Sequence, residues 1–168
     1  MFFLNYGFGE AASLSTMPDT FTQLYIQLVF AVKGRHNFIK ESFRDELEKY
    51  ICGIVRNNNH KPLAIYCMPD HIHFLTGLNP AQSISDLVKE IKNSSCNFIT
   101  EKNWLNQFHW QQGYGAFSYS KSSLDKVINY ILNQPEHHKK KTFKEEYVEF
   151  LVKFNIDYDE KYLFEFCG

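Results

Sequence analysis

Hydrophobic positions along the chain change period several times, and each change marks an element. Phe21 to Val32 (FTQLYIQLVFAV) is rich in β-branched and aromatic residues alternating with Thr and Gln, which predicts a long strand. From Glu41 to Asn58 the apolar residues Phe43, Leu47, Tyr50, Ile51, Ile54 and Val55 keep the three-and-four spacing of an amphipathic helix. Two short apolar runs follow, Pro62–Cys67 and His71–Leu78, with Met68-Pro69-Asp70 between them. Strand, Pro-Asp turn, strand reads as a hairpin. Helical spacing returns from Ser83 to Thr100 (Ile84, Leu87, Val88, Ile91), opened by a capping box at Ser83-x-x-Asp86. Gln111–Ser120 is a loop followed by a short strand. Ser122-x-x-Asp125 caps a helix carrying Leu124, Val127, Ile128 and Ile131, which Pro135 stops. A last helix runs from about Phe143 to Phe154, before an acidic, aromatic tail.

The order β-α-β-β-α-β-α-α fits an α+β fold, an antiparallel β-sheet with helices packed on one face. No internal repeat interrupts it. The 168 residues, 44% of them hydrophobic, suffice for one domain with its own core. The expected division is a loosely ordered extension over 1–18 and a single domain over 19–168. Met1–Met17 contains no Lys or Arg and is broken by Asn5, Gly7 and Gly9, so it lacks the form of a secretory signal. No uncharged apolar run is long enough for a transmembrane helix. Cys52, Cys67, Cys96 and Cys167 are widely spaced and read as buried thiols in a reducing cytoplasm. The net charge of −1 conceals a split: residues 1–144 balance at +4 and residues 145–168 at −5. A mildly basic body is compatible with phosphate binding, and an acidic end with a solvated terminal helix.

Two places carry candidate chemistry. In His71-Ile72-His73, strand alternation puts both imidazoles on one face, about 7 Å apart, with Ile72 and Phe74 on the other. Such a pair is either ordinary strand surface or a mount for one metal ion. The tight Pro-Asp turn just before it makes the mount rigid. The second place is Asn129-Tyr130-Ile131-Leu132-Asn133-Gln134-Pro135, where Tyr130 and Gln134, four apart, share a helix face. Tyr130 is either a packing residue or a nucleophile. With a reference pKa near 10 the phenol needs a nearby cation to attack at neutral pH.

Taken together, Met68-Pro-Asp-His-Ile-His-Phe-Leu75, Trp110-Gln-Gln-Gly-Tyr-Gly-Ala-Phe-Ser118 and Tyr130-Ile-Leu-Asn-Gln-Pro-Glu-His-His138 resemble the single-tyrosine HUH transposases of the insertion-sequence two-hundred group. Here HUH denotes two histidines flanking a bulky hydrophobic residue, Ile72 in this chain. The resemblance runs from about Thr20 to the C-terminus. It implies a ferredoxin-like HUH nuclease fold. His71 and His73 would be metal ligands with Gln134 as the third, the ion Mg²⁺ or Mn²⁺, and Tyr130 the catalytic nucleophile. The implied activity is cleavage and rejoining of single-stranded DNA with hairpin ends, through a 5′-phosphotyrosine. The implied assembly is a cytoplasmic, nucleoid-associated homodimer whose active sites are shared between subunits. Gly113 and Gly115 are either the hinge this sharing needs or plain turn glycines.

DNA contacts are expected at Lys33, Arg35, Lys89 and Lys92, with a further basic cluster at His137–Lys141. Trp104, Trp110, Tyr114 and Tyr119 serve either base stacking or the core. The Glu145–Glu149 carboxylates read as solvated helix face. The closest alternatives are a host-adopted nuclease acting on repeated hairpin DNA, and an inactive hairpin-binding module. A cupin is excluded by the helices. A two-histidine phosphoesterase is excluded by the lack of a second His-x-Ser/Thr motif.

Overall fold

The computed structural model describes residues 21–164. The expected extension over 1–18, and Cys167, lie outside them. Four strands, β1 (Tyr25–Ala31), β2 (Lys61–Cys67), β3 (His71–Gly77) and β4 (Gly115–Tyr119), form one antiparallel sheet in the order β2-β3-β1-β4. The long helices are α1 (Glu41–Asn57), α2 (Ile84–Glu101), α3 (Leu124–Leu132) and α5 (Phe143–Lys153), with the short α4 (Gln134–His138) between the last two. None of the helices in the described residues is long and apolar enough to cross a membrane.

The α+β class and the antiparallel sheet are as the pattern predicts. Helices α1 and α2 are those that cover one face. Their Leu47, Ile51, Val55, Leu87 and Ile91 pack on Leu28, Phe30, Ile72 and Phe74. Each fully buried aliphatic or aromatic side chain there contributes roughly 1.5–3 kcal/mol. The opposite face is covered too. Phe143, Tyr147, Phe150 and Leu151 of α5 pack on Val29, Ala31 and Phe117, and Val127 and Ile131 of α3 pack on Ala64 and Leu75. Strand β3 is therefore buried on both sides, where a half-exposed strand would leave one side wet.

The hairpin turn is fastened from outside. Val32 N–H donates to the Asp70 carbonyl at 2.8 Å, and Ile39 N–H to the Pro69 carbonyl at 3.0 Å. The Ser83 hydroxyl accepts from Asp86 N–H and caps α2 as the sequence indicates. The cap foreseen at Ser122 does not form; Ser120, Ser122 and Ser123 bond one another around a 3₁₀ turn instead. Pro135 stops α3, but it also sits in the first turn of α4, where its missing N–H is no loss.

Gly115 has no hinge role. It pairs with Val29 inside β4, and a Cβ there would lie 2.8–3.0 Å from the Phe117 and Tyr147 rings. Gly113 is the turn glycine, at φ +78°. The rest of β4 and the serine turn separate both from the tyrosine helix.

Candidate metal and tyrosine site

β3 is a central strand: Ala31 and Val29 of β1 lie opposite His71 and His73, and Tyr66 of β2 lies opposite His73 on the other side. The two imidazoles project from the face covered by α5 and are inaccessible to solvent. His71 stacks on Phe143, ring centroids 4.0 Å apart. His71 Nδ1–H donates to Asp70 Oδ1 at 2.7 Å, which leaves Nε2 with its lone pair facing inward. Burial pushes the His71 imidazolium down to about 4, against the opposing pull of the Asp70 hydrogen bond, so the ring is neutral at pH 7. The Gln27 amide N–H donates to His73 Nδ1 at 3.0 Å, and the Tyr119 hydroxyl donates to the Gln27 carbonyl. Turning that amide over exchanges the roles, leaving His73 Nδ1–H the donor and Nε2 free.

Tyr130 and Gln134 come together as the sequence indicates, although a break at Asn133 places them on separate helices. What joins them is a residue the spacing did not single out. Glu146, in the first turn of α5, is 2% exposed, which corrects its reading as solvated helix face; Glu145 and Glu149 do face solvent. The signal is in the phase. Phe143, Tyr147, Phe150 and Leu151 form the buried stripe of α5, and Glu146 falls on that stripe.

Its carboxylate divides the site. Oε1 accepts from the Tyr130 hydroxyl and from Gln134 Nε2 at 2.9 Å. Oε2 lies 3.2 Å from His73 Nε2, 3.2 Å from His138 Nε2 and 4.0 Å from His71 Nε2. Burial alone would raise this carboxyl, but His73, His138 and His71 outweigh it and hold the group far below the usual range. Tyr130 is pushed well above its ordinary value, first by burial and then by the Glu146 charge.

Four buried atoms here make no hydrogen bond: His71 Nε2, His137 Nε2, His138 Nε2 and Gln134 Oε1. Orphaned lone pairs beside an ionised carboxylate are what a cation would satisfy. His71, His73, His138 and Glu146 bring their ligand atoms within 4.8 Å of one another. The residues thus fit a metal ion.

The expected DNA contacts separate. Lys33 is exposed on a 3₁₀ turn (Lys33–Arg35) after β1, at the end of the sheet that carries His71. Lys89 is exposed on α2, behind the other face. Lys92 donates to the Gln111 carbonyl at 2.8 Å and the Gly113 carbonyl at 2.5 Å, and burial lowers its ammonium to about 8. Its charge is committed to holding that loop. Trp110 and Trp104 belong to the core, Trp110 through Phe30 and Ser95 Oγ, Trp104 through Phe43.

A buried histidine pair on a central antiparallel strand, with a tyrosine brought in by a helix, is an HUH-like site. Residues 20–134 match the family described as "Transposase IS200 like", and the chain belongs to that family. It is 29% identical to the ISDra2 transposase TnpA of Deinococcus radiodurans over 119 residues, 67% of this chain and 84% of that one. It is 28% identical to the transposase for insertion sequence element IS200 of Salmonella typhimurium over 122 residues, 67% of this chain and 77% of that one. Among solved structures, it resembles a protein from Deinococcus radiodurans R1 assigned as a transposase, with TM-score 0.57, 26% identity and coverage of 72% and 98%. A REP-associated tyrosine transposase bound to a REP hairpin shares the fold, with TM-score 0.53, 17% identity and coverage of 74% of each chain.

Proposed function

We propose that residues 19–168 act as one HUH transposase domain that cleaves and rejoins single-stranded DNA at the hairpin-bearing ends of an insertion sequence. The observation that carries this reading is the convergence of a half-buried Tyr130 on the buried His73 and Glu146, the tyrosine and histidine rings 6.0 Å apart. In the reaction, the Tyr130 oxygen attacks the scissile phosphorus, the bond from phosphorus to the 3′ oxygen breaks, and the 3′-hydroxyl leaves with a proton. The phenolic proton has an acceptor in place, Glu146 Oε1. A 3′-hydroxyl attacking the 5′-phosphotyrosine later restores a phosphodiester and the free phenol, so the bond energy is conserved and no ATP is needed. A divalent cation, Mg²⁺ or Mn²⁺ by the family resemblance, held by His71, His73 and Gln134, would draw charge from the phosphate.

The substrate has a route. A cavity of about 500 Å³ reaches His71 and His138 and is bordered by Lys139, Lys140 and Lys141; a second, of about 510 Å³, reaches Tyr130 and is bordered by Lys126 and Lys153. Basic side chains on both sides suit a strand passing across the site. Lys33 and Arg35 are the other backbone contacts we propose, and Lys89 the more distant one. The protein would work in the cytoplasm, at the nucleoid. The homodimer with exchanged tyrosine helices remains part of the proposal. In the single chain, Tyr130 meets its own histidines, so the link to redirect is the serine turn between β4 and α3. The same chemistry on repeated hairpin DNA, in a host-adopted nuclease, is the second reading. The likeness to the transposase bound to a REP hairpin favours it.

Labelled single-stranded DNA from the ends of the element, incubated with protein and Mn²⁺, is expected to give a covalent band that Tyr130→Phe and chelator both abolish. Cleavage surviving Tyr130→Phe would remove Tyr130 from the nucleophile's role. Mixing Tyr130→Phe with His71→Ala chains tests the exchange in the same gel, since only shared sites restore the band.

A further inference from the structure

The family match ends at residue 134, yet two of the groups that meet His71 and His73, a half-buried histidine and a buried carboxylate, come from beyond it. His138 is on α4 and Glu146 on α5. Each of the three imidazoles is oriented through Nδ1: His71 by Asp70 at 2.7 Å, His73 by Gln27 at 3.0 Å, and His138 by the Lys141 carbonyl at 3.0 Å. Holding the far nitrogen is how metal-ligating histidines are fixed in direction; oxygen acceptors fix the tautomer of His71 and His138 as well, and turning over the Gln27 amide does the same for His73. All three Nε2 atoms then lie within 4.0 Å of one oxygen, Glu146 Oε2. Among the described residues, none of the partners of this buried carboxylate is a lysine or arginine. Gln134 meets the other oxygen, its amide nitrogen 2.9 Å from Glu146 Oε1, with its own carbonyl oxygen buried and without a hydrogen bond.

We propose that His138 and Glu146 join His71 and His73 as ligands of the ion of this site. This rests on the reading of the site as an HUH metal centre and changes two of its features. Three imidazoles and one carboxylate are a softer set than two imidazoles and an amide, and they favour Mn²⁺ and later first-row ions over Mg²⁺. The carboxylate also ties the ion to the nucleophile directly, since its second oxygen carries the Tyr130 hydrogen bond.

The test is metal binding by the full chain without DNA, read by electron paramagnetic resonance of free Mn²⁺, with folding of each variant checked by circular dichroism. Glu146→Gln and His138→Gln are each expected to weaken Mn²⁺ by at least about 10–100-fold. Wild-type protein is expected to hold Mn²⁺ at least about tenfold more tightly than Mg²⁺ in competition. Pulsed resonance on the wild-type Mn²⁺ complex counts coupled imidazole nitrogens without any substitution, and three are expected. Two nitrogens, or wild-type affinity in both Glu146→Gln and His138→Gln while His73→Ala binds nothing, overturns the proposal and leaves the HUH reading standing. Wild-type protein that binds no Mn²⁺ overturns both.

Discussion

Ile72 and His73 are consecutive on β3 and equally sealed from water, but their surroundings have little in common. Ile72 points into the layer between the sheet and helices α1 and α2, where Phe74, Leu28 and Phe30 ask of their neighbours only volume. His73 points at α3–α5, into a layer that buries Gln27, His71, Gln134 and Glu146 among phenylalanines. A buried polar atom left unpaired costs about 1–3 kcal/mol, so this second layer has to be specified atom by atom. One face provides stability and tolerates exchange of shape; the other spends stability on a polar cluster whose value is chemical.

The largest effects should come from dividing the two neighbours. Ile72→Ala is expected to destabilise the fold by about 4 kcal/mol, through lost burial and a cavity, while the folded fraction keeps its Mn²⁺ affinity. His73→Ala is expected to do the reverse. Stability falls by about 2 kcal/mol, as Gln27 and Glu146 each lose a partner, and Mn²⁺ affinity falls by at least about 10–100-fold. Urea melts beside metal titrations decide this; equal loss of stability in the two variants would break the comparison.

A subtler difference is that the apolar layer has a carboxyl group at its border. Glu48 on α1 accepts the Cys67 N–H at 2.8 Å, and burial raises its carboxyl to about 7 in spite of that bond. Its folded value thus lies above its unfolded value near 4.5. Its contribution is full below about pH 4.5 and is lost as the pH rises through about 7. Glu48→Gln, which keeps an acceptor for Cys67, should match wild type near pH 4.5 and exceed it at pH 8 by on the order of 3 kcal/mol. Melts at the two pH values that shift in parallel would show that Glu48 is not the source.

The smallest expected effect is local to α2. Removing its cap with Ser83→Ala should lower stability by about 1 kcal/mol without touching metal binding. A metal affinity that followed this substitution would mean that the two layers are coupled through the sheet.

Much of this was legible in the sequence for a physical reason. Strand and helix periods follow the burial of whole faces, so β1, the β2–β3 hairpin, α1, α2 and α5 fall close to where their apolar residues repeat. The histidine pair was legible because alternation on a strand leaves no other arrangement, and Tyr130 and Gln134 because their four-residue spacing survives the break at Asn133. Glu146 was not. Beside Glu145 and Glu149 it looks like one more solvated charge, and only its phase against Phe143, Tyr147 and Phe150 separates it. The cover on the histidine face was equally hidden, since an amphipathic helix shows that it has an apolar side but not which surface receives it. Lys92 shows the limit for single charges, because nothing in its neighbourhood along the chain announces the two carbonyls it serves.

Glu146 stands 73 residues after His73, on the last long helix of the described chain. Synthesis proceeds from the N-terminus, so all four strands leave the ribosome before the acid that reaches the histidines does. The growing chain therefore has its scaffold early and its complete centre only at the end. A copy cut short before Thr142 would retain the sheet, expose Val29, Ala31 and Phe117 where α5 should lie, and have no carboxylate beside Tyr130. For a gene of this transposase family, a reading frame broken before Thr142 would yield a copy without the complete centre.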